Sequence, residues 1–158
     1  VGGSIIGYAD LVTTNTQGKF AIVDMKWAGT TKYSTKLAEN SYLQLGIYAE
    51  LFRQKIGTWP EIGYYILSDS KMLTRHDHYF PQSNAIKGKT EESTPHLWER
   101  FKASYSWRSD LLKQGLVEVA MNNIETTDES TPPEAGLTSE TLHSDYNDFI
   151  NLAGWRQA

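Results

Sequence analysis

Cysteine is absent from the 158 residues, which excludes a disulfide framework and any cysteine-held zinc or iron–sulfur site within the chain. No apolar run approaches the roughly 18 residues that cross a bilayer, and no signal peptide is visible. Neither a membrane span nor export is expected, and the cytoplasm is the expected location. A surplus of positive charge is lacking too. Lys and Arg number 15 against 19 Asp and Glu, a net charge of −4. No general attraction to nucleic acid follows, so such binding needs a local patch or a metal ion. Aromatic residues, by contrast, are plentiful, with 9 Tyr and 5 Trp. Hydrophobic content of 39% and charged content of 22% suit one globular domain with a real core.

The most informative stretch is Gly18 to Trp27, read with residues 5–12 before it. Side chains alternate along a strand, so Phe20, Ile22, Asp24 and Lys26 share one face while Ala21, Val23, Met25 and Trp27 share the other. The same rule groups Ile6, Tyr8, Asp10 and Val12. The polar run Thr13-Thr14-Asn15-Thr16-Gln17-Gly18 between them has the character of a hairpin connection. A turn centred near Gln17 pairs residues whose numbers sum to 34, which sets Asp10 opposite Asp24. Facing residues of an antiparallel pair have Cβ atoms about 4.5–5.5 Å apart, and like charges there repel. Two such carboxylates with Lys26 beside them attract a divalent cation, because Mg2+ is commonly held by one or two carboxylates with water and substrate phosphate completing its shell. The alternative is a solvated ladder in which Lys26 partly neutralises two exposed aspartates. Ile22 and Tyr8 on the same face favour cover, and covered charges need a partner or a ligand.

Further along, Gly29 to Lys36 reads as a polar connection carrying Lys32 and Lys36. A helix is expected from about residue 36 or 38 to 56, with Leu43, Ile47 and Leu51 as its apolar stripe and Gly57 as its stop. Gln44 and Tyr48 are four apart and share a face beside that stripe. Residues 61–68 form an expected third strand, giving an α/β sheet with helices packed on it. Residues 71–89 read as a loop in which Lys71, Arg75, His76, His78, Lys87 and Lys89 alternate with Tyr79 and Phe80. That mixture suits phosphate contact and base stacking, while His76 and His78 are an exposed pair before they are metal ligands. Thr94-Pro95 opens a long helix to about residue 121, with Leu97, Phe101, Trp107, Leu111 and Leu112 as its stripe. Residues 125–140 carry five acids, two prolines and no base, the composition of a linker. The tail 141–158 is expected to dock back on a core of about 5–121. The chain is thus expected to be one domain, and a strand by about residue 5 leads us to expect further protein upstream of Val1.

Taken in order, Gly7-Tyr8-Ala9-Asp10, Val23-Asp24-Met25-Lys26 and Gln44-Leu45-Gly46-Ile47-Tyr48 resemble the PD-(D/E)XK nuclease superfamily, and within it the RecB-like branch that includes AddB-type nuclease domains. The ordered set spans residues 5–67. The resemblance implies a restriction-endonuclease-like core, a mixed central sheet flanked by helices, with the first helix expected upstream of this chain. It implies that Asp10 and Asp24 hold one or two Mg2+ or Mn2+ ions with the backbone carbonyl of Met25, and that Lys26 is the catalytic lysine. Gln44 and Tyr48 would support the site or touch the DNA backbone, with Lys32, Lys36, Lys71, Arg75, Lys87 and Lys89 as further nucleic-acid contacts. The implied reaction is metal-assisted phosphodiester hydrolysis, exonuclease-like, in DNA repair or recombination alongside a helicase subunit or domain. Two departures stand out. The family's upstream His or Glu ligand is not in this chain. The segment Tyr146-Asn147-Asp148-Phe149-Ile150-Asn151-Leu152-Ala153-Gly154-Trp155 resembles a relative's iron–sulfur segment with the cysteines replaced, so no cluster is expected. A catalytically silent DNA-binding or scaffolding domain of the same fold is the alternative, and a restriction-type endonuclease a weaker third.

Overall fold

The computed structural model describes residues 4–116 and 134–137. The chain falls into two units, residues 1–101 and 102–158, and each is described by itself.

The first unit is organised on a five-stranded sheet in the order β1-β2-β3-β4-β5, formed by β1 (Leu11–Thr14), β2 (Phe20–Lys26), β3 (Glu61–Ile66), β4 (Lys71–Thr74) and β5 (Asn84–Ala85). β1 runs antiparallel to β2, β2 parallel to β3, β3 antiparallel to β4 and β4 parallel to β5. The sheet is therefore mixed and flanked by helices, as the expected α/β core requires. A parallel neighbour needs a crossover, and α1 (Thr30–Ala38) with α2 (Leu43–Ile56) supplies the one between β2 and β3.

Both crossover helices cover the face that carries Phe20, Ile22, Asp24 and Lys26. Phe20 meets Phe52 of α2 edge-on at 5.2 Å, and Tyr33 of α1 lies 4.7 Å from Tyr64 of β3. Ile22, Leu37, Leu45, Ile66, Leu73 and Leu97 are buried between these layers, each contributing roughly 1.5–3 kcal/mol by leaving water.

Several expectations change. The first strand begins at Leu11, not near residue 5, so Ile6 and Tyr8 lie outside the ladder and both are exposed. Tyr8 therefore does not cover the carboxylates; burial comes from the helix side instead. The hairpin register is as expected, with Leu11 opposite Val23 and Val12 opposite Ile22. The helix expected from residue 36 or 38 starts only at Leu43, and the polar connection before it is largely a helix of its own. α1 starts after Gly29, whose φ of 106° suits glycine, and the chain breaks at Asn40, in a left-handed conformation with φ of 55°. α2 buries Leu45, Gly46, Ala49 and Glu50, so the stripe of Leu43, Ile47 and Leu51 is its flank. Glu50 is tolerated inside because Arg53 Nε and Nη2 donate to it at 2.6 and 2.8 Å and Gln54 Nε2 at 3.1 Å, as a buried carboxylate requires. Part of the supposed loop 71–89 is β4 and β5, strands too short for alternation to reveal.

The last helix, α3 (Thr94–Lys113), stops before the expected residue 121, and Gly115 follows it at a φ of 78°. Its first turns belong to the first unit. In the second unit Leu112, expected in its stripe, is 58% exposed, and the backbone N–H of Leu137 donates to Ser104 Oγ at 2.7 Å. Most of the expected linker and the whole docking tail lie outside the described residues. No helix among the described residues is long and apolar enough to cross a membrane.

Candidate active site

The two aspartates reach one place by different routes. Asp24 sits inside β2 and faces the helix layer, 3% exposed, with the ring of Tyr64 beside it in register on β3. Asp10 is one residue short of the β1 ladder and exposed. Its Oδ2 accepts a hydrogen bond from the backbone N–H of Met25 at 2.8 Å, so it caps the open edge of β2 where β1 has not yet begun. An extended residue's N–H and C=O point to the same edge. The Met25 carbonyl therefore faces the edge that Asp10 occupies.

Lys26 completes the cluster. Its Nζ lies 2.8 Å from Asp24 Oδ2. That oxygen is buried, and among the described side chains the Lys26 ammonium is the partner it has, so the contact is a buried ion pair. Burial raises the Asp24 pKa above the usual carboxylate value, and the nearby Asp10 carboxyl raises it further against the opposing pull of Lys26. For Lys26, burial acts to lower the pKa, but the Asp24 carboxylate outweighs it and the net shift is upward. The Tyr64 phenol is raised by its burial first and then by the Asp24 charge. A desolvated carboxylate whose buried oxygen has only a lysine for company, a second carboxylate at hand and a carbonyl on the same edge form an all-oxygen donor set that fits a hard divalent cation. Among the described residues no third His, Asp or Glu joins them. The remainder of any coordination shell would fall to water and substrate.

Gln44 and Tyr48, on the first two turns of α2, are joined by a hydrogen bond from Gln44 Nε2 to Tyr48 Oη of 3.2 Å. The Tyr48 ring lies against Gly7, where an added Cβ would come within 2.6 Å of its Cε1. The glycine three residues before Asp10 thus lets α2 press on the segment that delivers Asp10. Gly7→Ala is expected to lower stability by about 1–3 kcal/mol through this clash. In a Tyr48→Ala background the same change should cost little, as urea denaturation of the four proteins would measure.

The basic residues are scattered. Lys71 pairs in register with Ile66, which pairs with Lys26, so Lys71 and Lys26 share a face two strands apart at the same end of the sheet. Lys32 is exposed on α1, and Lys36 lies on the same helix. Arg75 is turned inward: its guanidinium donates to the carbonyls of Leu37, Thr90 and Glu92 at 2.8, 3.4 and 3.2 Å. Lys89 pairs with Glu39 across 2.5 Å, and Lys87 is exposed. His76 and His78 stack with ring centres 5.7 Å apart, both exposed. A groove of about 660 Å³ lies between residues 5–12 and α2, lined by Ile5, Ile6, Val12, Leu51 and Phe52 among others, but Asp10, Asp24 and Lys26 do not line it.

One neighbour of the cluster escaped the sequence reading. Tyr33, on the expected polar connection, places its ring centre 5.7 Å from Lys26 Nζ and 5.8 Å from Lys32 Nζ. Recognising α1 would have revealed it, since Tyr33 and Leu37 are then four apart on one helix face.

A model of the PD-(D/E)XK nuclease superfamily matches residues 1–134. No curated protein and no solved structure gives a significant match to the chain.

Proposed function

Because the chain belongs to the PD-(D/E)XK nuclease superfamily, we propose that it is a Mg2+- or Mn2+-dependent deoxyribonuclease of the RecB-like, AddB-like branch. In this reading it degrades DNA exonucleolytically in repair or recombination, alongside a helicase subunit or domain. The observation that carries the reading is the convergence of Asp10, Asp24 and Lys26 at the edge of β2, with the Tyr48 ring braced on Gly7, three residues before Asp10.

Asp10, Asp24 and the Met25 carbonyl would hold the cation. When bound, the metal supplies Lewis-acid polarisation of the scissile phosphate and makes water a better nucleophile. The protein's own contribution is orientation and charge. Lys26 keeps an ammonium at the carboxylate rim, where it can hold the attacking water in line or offset negative charge building on the phosphoryl oxygens. Gln44 and Tyr48 present an amide and a phenol to the DNA backbone. Lys32, Lys36, Lys71 and Lys87 are proposed phosphate contacts, and Lys71 is best supported because it shares the sheet face and end with Lys26. Arg75 and Lys89 would contact DNA only by leaving the carbonyls and the carboxylate that hold them.

Incubating the purified chain with end-labelled linear duplex and single-stranded DNA in millimolar Mg2+ or Mn2+, against a chelator control, tests the reading directly. Binding of the metal also has a signature independent of DNA. At tenfold above its dissociation constant, Mg2+ should stabilise the fold by about 1.4 kcal/mol, raising Tm by roughly 3–6 °C. Asp10→Asn and Asp24→Asn should abolish that shift. A chain that neither cuts DNA nor shifts its Tm with metal is a silent scaffold, and the nuclease reading is then wrong.

A further inference from the structure

We infer that Tyr33 is a positioning residue for Lys26, its ring holding the ammonium at the carboxylate rim when the Asp24 oxygens are given over to another cation. The inference rests on the nuclease reading for its consequence, though not for its geometry.

A lysine side chain is a point charge on a flexible four-carbon stem. Lys26 is restrained at present by two features, the Asp24 carboxylate at 2.8 Å and the Tyr33 ring at 5.7 Å from its Nζ. The two restraints differ in what happens when the site is used. Asp24 is also the buried carboxylate that would ligate a metal, and a divalent ion there competes with the ammonium and repels it. The ring does not change hands. Its attraction for a cation comes from the electron-rich face, which a metal on Asp24 leaves unchanged.

Tyr33 is itself held from several sides. Its ring centre lies 4.7 Å from that of Tyr64 with the planes tilted by 45°. Its backbone N–H donates to the Gly29 carbonyl at 3.0 Å, and a Cβ at Gly29 would come within 3.3 Å of the ring. The side chain of Lys26 is 23% exposed, so the contact with the ring is partly shielded from water, where such contacts are strongest. Lys32 Nζ sits 5.8 Å from the same ring. The exposed Lys32 draws on the same ring, but its contact is open to water and is the weaker of the two.

Tyr33→Phe and Tyr33→Leu separate the ring from the mere filling of space, with Tyr33→Met replacing the leucine variant should that one not fold. On linear DNA with Mg2+, the leucine or methionine variant should lose roughly 5- to 30-fold in kcat with KM changed less than about twofold. The phenylalanine variant should recover most of that loss. The second readout needs no activity. Reductive 13C-methylation keeps lysine charged, and the Lys26 dimethyl signal, identified by its loss in Lys26→Arg, should be shifted upfield by the ring in wild type and Tyr33→Phe. In the leucine or methionine variant it should move to the ordinary lysine position. Adding Mg2+ should leave the upfield shift in place in the wild type. An unshifted Lys26 signal in the wild type, one that loses its shift with Mg2+, or a ring-less variant with full kcat would each overturn the inference. If the wild type cuts no DNA, the nuclease reading falls, while the spectra still decide whether the ring holds the ammonium.

Discussion

Asp24→Ala is expected to lower DNA cleavage by about a thousandfold or more, because in the proposed reading Asp24 holds the metal, and losing such a ligand removes several kcal/mol of transition-state stabilisation at about 1.4 kcal/mol per decade of rate. The loss should appear in kcat at saturating Mg2+ and should not be rescued by raising the metal concentration. Asp24→Asn is the sharper control. It keeps the shape of the side chain and removes a charge that the fold holds at a cost, since burial and Asp10 together raise the Asp24 pKa. The sign follows from linkage. A carboxyl with a raised folded-state pKa favours the fold below the ordinary carboxylate pKa and loses that contribution as pH rises through its own. Without metal, the wild type should therefore lose stability across that acidic window, and Asp24→Asn should lose less. Denaturant midpoints in a chelating buffer, taken at several pH values, would measure the difference. If Asp24→Asn is instead grossly unfolded at neutral pH, Asp24 is a structural anchor and its loss of activity says nothing about catalysis.

The second large effect is structural and lies next to the site. Gly63 is the third residue of β3, in register between Val23 of β2 and Thr74 of β4. A Cβ there would meet Met72 Cε at 2.5 Å and the Leu73 carbonyl oxygen at 2.9 Å. A methionine tip can swing away, but a backbone carbonyl in a paired strand cannot move without disturbing the sheet. Gly63→Val should cost about 3 kcal/mol, lowering Tm by roughly 10 °C, and it should weaken metal binding only as far as it unfolds the protein. Calorimetry with and without Mg2+ would separate the two. A Gly63→Val protein with wild-type Tm would mean that β4 is not held against β3 as described.

Much of the site is legible in the sequence alone. The rule that strand side chains alternate needs no knowledge of the rest of the chain. It placed Asp24 and Lys26 on one face and, with the polar turn at residues 13–18, predicted the register that pairs Leu11 with Val23. Helical spacing likewise brought Gln44 and Tyr48 together, and they share a hydrogen bond. Other features were not legible, for identifiable reasons. Residues 30–38 are weak helix formers, and α1 exists because Tyr33 and Leu37 find Tyr64 and the core, a tertiary effect that outweighs local propensity. The break at Asn40 depends on Asn40 Nδ2 reaching Glu92 at 3.0 Å, 52 positions away. Arg75 looked like a phosphate ligand by composition, yet three carbonyls from distant segments claim it.

The amino-acid order alone determined the pairing of β1 with β2, the order of the three motifs and the residue types that can hold a cation, because these follow from periods of two and four along a local chain. Only the three-dimensional arrangement decided that Asp24 is desolvated against Tyr64 while Asp10 stays exposed, that Gly7 carries the Tyr48 ring, and that Tyr33 meets Lys26. Burial and close approach belong to segments far apart in the chain, and no local pattern encodes which of them will meet.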